Sequence, residues 1–162
     1  MARPGYRALK SEQLQVFIDI DGTILYDPPY GGGLDHLDAQ LMCDGVEEFL
    51  EFVVEHCEPY WLSYRTYQGD LEALEERLLP HLPAVARKIP AANWDTWKSE
   101  AIDPAVPFVW FEDGLEDECE LWLRSRGLLT SYFEVDPGCH NNPRLMLAHL
   151  KQRLAGSAPE PA

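Results

Sequence analysis

The chain has 162 residues, a length that fits one domain with short tails and leaves no room for two full ones. Asp and Glu outnumber Lys and Arg 28 to 13, a formal net charge of −15, so the basic face needed for sequence-independent binding to duplex DNA or anionic membranes is missing. No apolar run approaches the ~20 residues that span a bilayer. Cys43, Cys57, Cys119 and Cys139 show no CxxC spacing and no apolar segment follows Arg3, Arg7 and Lys10, so the sequence reads as a cytoplasmic protein with reduced thiols.

Residues 1–14 are polar and aperiodic, and residues 156–162 are rich in Pro and Ala, so both are expected to be flexible tails around a domain over residues 15–155. The run Val16, Phe17, Ile18 within residues 15–20 predicts a parallel strand covered on both faces. A loop with Pro28, Pro29 and Gly31 to Gly33 follows. From Asp44 the apolar positions Val46, Phe49, Leu50, Val53, Val54 and Cys57 take helical spacing, with Asp44 and Glu47 as a capping box. A short strand over residues 60–62 comes next. A helix then opens at Asp70, presents Leu71, Leu74 and Leu78, and stops near Pro80.

A weak strand is predicted over residues 85–89 and a short helix over residues 94–102. Phe108 to Phe111 form a third buried strand, for which Pro107 is acceptable only at the start. Leu115, Cys119 and Trp122 trace a helix closed by Gly127. Another strand covers residues 132–135, and Asn142 with Pro143 reads as the N-cap and first turn of a last helix through Leu154. Strands alternating with helices imply an α/β fold, a three-layer, Rossmann-like, doubly wound parallel sheet.

In such sheets function collects beyond the carboxyl ends of the strands. The first strand runs into Asp19, Asp21, Gly22 and Thr23, the second into Ser63, Tyr64 and Arg65, and the third into Glu112, Asp113 and, a helical turn on, Asp117. Lys98 precedes the third strand. Carboxylates converging on one crevice repel each other, and a fold carries that only where a cation or a catalytic duty compensates. Hard oxygen ligands point to Mg2+. A single acid after a strand more often caps the next helix, which is the competing reading for Asp117.

These residues resemble the motifs of the haloacid dehalogenase-like (HAD) phosphohydrolase superfamily. Val16-Phe17-Ile18-Asp19-Ile20-Asp21-Gly22-Thr23 is similar to its first motif, Tyr60-Trp61-Leu62-Ser63 to its second, Lys98 to its third, and Trp110-Phe111-Glu112-Asp113 with Asp117 to its fourth. The first motif is highly specific, and the second and third are weak alone. The resemblance implies that Asp19 attacks phosphorus and forms an aspartyl phosphate, and that Asp21 acts as general acid and base. It implies Mg2+ held by Asp19, the Asp21 carbonyl and Asp113, with Asp117 in support, Ser63 donating to the phosphoryl group and Lys98 offsetting its charge.

Gly22 and Thr23 belong to the loop expected to face the phosphate, and Arg65 is placed to hold a substrate phosphate or carboxylate. Glu112 departs from the family pattern, which has Gly or Asp there more often, and its longer arm either crowds the metal or binds it through water. Arg87 and Lys88 are the alternatives to Lys98.

The intervals that carry cap domains in the family, here residues 24–43 and 89–94, are too short for an independent core, so a capless member with an open site is expected. Its partner would be a phosphorylated substrate. The negative charge favours a protein or peptide with basic flanks, and a phosphate-ended oligonucleotide or a small phosphometabolite is the alternative. Two readings of other classes compete: a phosphoacceptor signalling module and a HAD-like binding protein without turnover.

Overall fold

The middle of the sheet is built from two unbroken apolar segments, β1 (Gln15–Ile18) and β3 (Phe108–Glu112). The computed structural model describes residues 13–26 and 41–156; most of the expected tails, residues 1–12 and 157–162, and residues 27–40 of the Gly/Pro-rich loop lie outside the described residues, while Leu14 is buried and Gly156 ends a helix, so neither belongs to a tail. With β2 (Glu58–Trp61) and β4 (Tyr132–Glu134), these strands form a four-stranded sheet in the order β2-β1-β3-β4. Every pairing is parallel, with Ile18 opposite Trp61 on one side and Phe111 on the other. The chain is therefore an α/β protein.

Side chains alternate across the strands, which is why the central segments are apolar throughout. Val16, Ile18, Val109 and Phe111 face a core shared with α1 (Val46–His56) and α4 (Asn142–Gly156). Phe17, Phe108 and Trp110 point the opposite way, against Cys119 and Leu123 of α3 (Asp117–Ser125). Among the described residues, no helix is long and apolar enough to cross a membrane.

Several local expectations are corrected. The Asp44–Glu47 capping box does not form; Gly45, at φ 82°, is the N-cap of α1 and no side chain caps the helix. The helix expected from Asp70 contracts to α2 (Glu72–Glu75), followed by a 3₁₀ turn at Leu79–His81 that contains Pro80. The segment expected as a weak strand at residues 85–89 is a 3₁₀ helix, Ala84–Lys88. Its Arg87 and Lys88 are exposed, whereas a strand laid beside β2 would need both faces apolar. Beyond it, Ala91 makes an isolated parallel bridge to Trp61. The helix expected at residues 94–102 is a single 3₁₀ turn, Lys98–Ala101. Asn142 opens α4 as expected, but its amide reaches away from the helix and donates to the Gly22 and Asp136 carbonyls.

Candidate active site

The strand order decides where the site lies. From β1 the chain moves out to β2 and returns across β1 to β3, so connections diverge between the carboxyl ends of β1 and β3, the crevice where open parallel sheets bind ligands. Asp19 follows β1 directly, and its N–H donates to the Phe111 carbonyl at 3.0 Å. Glu112 ends β3 and Asp113 follows it. One carboxylate oxygen from each of Asp19, Glu112 and Asp113 lies within 4.8 Å of the others. A cleft of about 410 Å3 opens over them, lined also by Asp21, Ser63, Tyr64, Lys98 and Glu116.

Lys98 is the buried cation of this group, and Arg87 and Lys88 stand elsewhere, exposed on their 3₁₀ helix. Lys98 Nζ lies 2.7 Å from Glu112 Oε2 and 3.3 Å from Asp19 Oδ1, with all three side chains at most 5% exposed. Burial works to lower the Lys98 pKa, but the Asp19 and Glu112 carboxylates outweigh it and hold the ammonium above its usual range. Burial, and then the charge of Asp19, push Glu112 well above the carboxylate range; burial also raises Asp19, against the pull of Lys98. Lys98 and the interaction with Glu112 work against the rise at Asp19, whereas the charge of Asp19 adds to the rise at Glu112.

Gly22 sits at φ 78°, and a Cβ there would overlap Asp113 Oδ2 and stand 3.1 Å from the Pro137 Cβ. Its smallness lets the Asp113 carboxylate lie against the β1 loop. Gly22→Ala is accordingly expected to lose about 1–2 kcal/mol in urea unfolding, from the left-handed backbone, and to displace Asp113 as well. If Gly22→Ala left both stability and metal affinity unchanged, this packing would be unimportant. The loop N–H groups are less available than expected, because those of Thr23, Ile24 and Leu25 all donate to the Ile20 carbonyl. Thr23, expected at the substrate, is fully buried and donates from Oγ1 to Asp19 Oδ2 at 3.4 Å. It orients Asp19.

Arg65 also differs from expectation. Its Nε and Nη2 donate to the two oxygens of Asp21 at 2.9 and 2.6 Å, a bidentate pair with Arg65 only 8% exposed. The guanidinium therefore positions Asp21 and is not open to a substrate anion. Ser63 caps the 3₁₀ turn Tyr64–Thr66, its Oγ accepting from the Arg65 N–H at 3.2 Å, and it lines the cleft. Asp117 is exposed in the first turn of α3, outside the carboxylate group.

Sequence reasoning missed the contact that joins the two sides of the cleft, where the Tyr64 hydroxyl donates to Glu116 Oε1 across 52 residues. It read Asn142 only as a helix start and missed its bond to the Gly22 carbonyl, which ties α4 to the loop after β1. Comparison of the chain with family models, with curated proteins and with solved structures finds no match.

Proposed function

We propose that the protein is a Mg2+-dependent phosphomonoester hydrolase of the HAD-like, capless kind, working through an aspartyl phosphate on Asp19. The observation that carries this reading is the convergence of Asp19, Glu112 and Asp113 within 4.8 Å, with Lys98 3.3 Å from Asp19, at the switch point of a parallel sheet. The donor set fits Mg2+: it is all carboxyl oxygen, and Asp113 is partly open to the cleft. When bound there, Mg2+ supplies positive charge against the phosphoryl oxygens and the carboxylates.

Asp19 is the nucleophile because it is held from three directions, by Lys98, Thr23 and its own backbone bond to Phe111, and the Lys98 charge favours its ionised form against the burial that opposes it. Its carboxylate oxygen forms the new bond to phosphorus as the ester P–O bond breaks, and the departing oxygen takes a proton. Asp21, two residues on, is the group proposed to give that proton and then to take one from the water that releases phosphate. Both Asp21 oxygens accept from Arg65, so the guanidinium fixes where the Asp21 carboxyl stands beside the cleft. Ser63 and Lys98 face the transferred group, the one as a hydrogen-bond donor and the other as fixed charge.

The test is Mg2+-dependent phosphate release from a panel of phosphopeptides, nucleotides, sugar phosphates and phosphate-ended oligonucleotides. Turnover that Mg2+ addition restores after EDTA treatment supports the reading, and no turnover on any class favours a binding protein. Within that assay Asp113→Ala should raise the Mg2+ concentration for half-maximal rate by about tenfold or more, in line with the loss of a direct ligand. Asp117→Ala, in the exposed first turn of α3, should shift it far less. The opposite order would move the metal toward α3.

A further inference from the structure

Tyr64 is an exposed aromatic residue of the cleft wall with several side-chain contacts. Its side chain belongs to the 3₁₀ turn after β2, which places it between Ser63 and Arg65, and 65% of its surface is open. An exposed tyrosine normally samples several rotamers, and fixing one costs entropy. Here three contacts fix it. The hydroxyl donates to Glu116 on the other side of the cleft, raising the phenol pKa to about 12, first through that bond and then through burial. Trp94 packs edge-on at 5.2 Å between centroids, and the Lys98 ammonium lies 4.9 Å from the ring centroid.

Trp94 is itself anchored, 4% exposed with its indole N–H donating to the Ser63 carbonyl at 3.0 Å, and Tyr67, 41% exposed, packs on it at 4.9 Å. Lys98 is shared between this aromatic group and Asp19, so the Tyr64 ring lies one side chain away from the proposed nucleophile.

The cations at the site are committed elsewhere. Lys98 pairs with Asp19 and Glu112, and Arg65 pairs with Asp21. Recognition of the part of the substrate beyond the phosphoryl group therefore falls to surfaces other than a free basic side chain; Leu115 and the open Tyr64 ring line the cleft with apolar surface, and Tyr64 is the one that offers a π-face. A ring with a cation at one face is polarised toward it, which suits a second π-system at its free surface.

Resting on the phosphohydrolase reading, we propose that Tyr64 is a specificity-determining residue that stacks a planar aromatic ring of the leaving group, so that the preferred substrates are phosphomonoesters whose leaving group carries such a ring. Aryl phosphates, as in a phosphotyrosine peptide, and nucleoside monophosphates share this chemistry. The charge of −15 and the cleft's surplus of carboxylates further disfavour long polyanionic strands as the source of the ring.

Binding of unreactive phosphonates separates this inference from the hydrolase reading. Phenylphosphonate and cyclohexylphosphonate are close in size and apolarity, but only the first has a π-face, and their affinities can be read in the presence of Mg2+ by calorimetry on the full chain. The wild type should bind phenylphosphonate about tenfold more tightly, the order of a single stacking contact. Tyr64→Phe, which keeps the ring and drops the bond to Glu116, should retain most of that ratio; Tyr64→Leu should bring it close to one. Equal affinities in the wild type, no binding of either compound, or a ratio that survives Tyr64→Leu would each overturn the proposal, whatever the hydrolysis assays show. A tenfold ratio in a protein that hydrolyses no phosphomonoester would keep the stacking site and reject the hydrolase. Comparing kcat/KM for a phosphotyrosine peptide and adenosine monophosphate then identifies which source supplies the ring.

Discussion

Asp19→Asn is expected to abolish phosphate release, by about 10⁴-fold or more, while leaving the protein at least as stable as the wild type. The first half follows from chemistry: an amide oxygen is a poor nucleophile toward phosphorus, and removing an attacking group that forms a covalent intermediate removes the route itself. The second half follows from burial. Asp19 is 3% exposed and its carboxyl is pushed up by that burial, so a neutral amide of the same shape relieves desolvation, while Lys98 keeps its 2.7 Å bond to Glu112. Urea unfolding therefore separates loss of chemistry from loss of fold. A wild-type protein quenched during turnover should carry a hydroxylamine-sensitive acyl phosphate that the variant lacks. Substantial Mg2+-dependent turnover in Asp19→Asn would remove Asp19 from the role of nucleophile.

The parts of this site that the sequence makes legible are those encoded by local order. An apolar run covered on both faces can only be an inner strand, so the acids that follow Ile18 and Phe111 had to emerge at the same edge of the sheet. Lys98 is reached only through the resemblance, as a cation shortly before β3, and nothing local separates it from Arg87 and Lys88. What the sequence does not display are pairings between segments far apart. Arg65 and Asp21 are 44 residues apart, Tyr64 and Glu116 are 52 apart, and Asn142 and Gly22 are 120 apart. Nothing in the periodicity of either partner announces the other. Position alone therefore puts Arg65 toward substrate, whereas the fold pairs it with Asp21. The 3₁₀ segments Ala84–Lys88 and Lys98–Ala101 are too short for any hydrophobic period to show in the sequence.

Lys98→Met should be the most destabilising single change at the site, and its cost should grow with pH. Lys98 is 3% exposed and lies between two buried carboxyl groups. Removing one partner of such a group leaves uncompensated buried charge, which costs about 3–5 kcal/mol. The pH dependence follows from the directions of the shifts. In the wild type the raised Lys98 pKa means that its stabilisation is fully present below the unfolded value of 10.5 and is lost only as pH rises above that.

Asp19 and Glu112 are acids with raised pKa values, so the stability they contribute is greatest below the ordinary carboxylate range and falls as pH rises. Without the ammonium both carboxyls move further up. At about pH 5 they can stay protonated and neutral, and the substitution costs less; at about pH 8 the folded state must either bury a charge or hold a proton that the unfolded chain has released. Urea unfolding of the metal-free protein should therefore show a larger difference between variant and wild type at the higher pH. Adding Glu112→Gln to Lys98→Met should recover part of the loss there, because it replaces one of the two acids with a neutral group. An equal loss at both pH values, or no recovery in the double variant, would mean that Lys98 contributes packing and not charge.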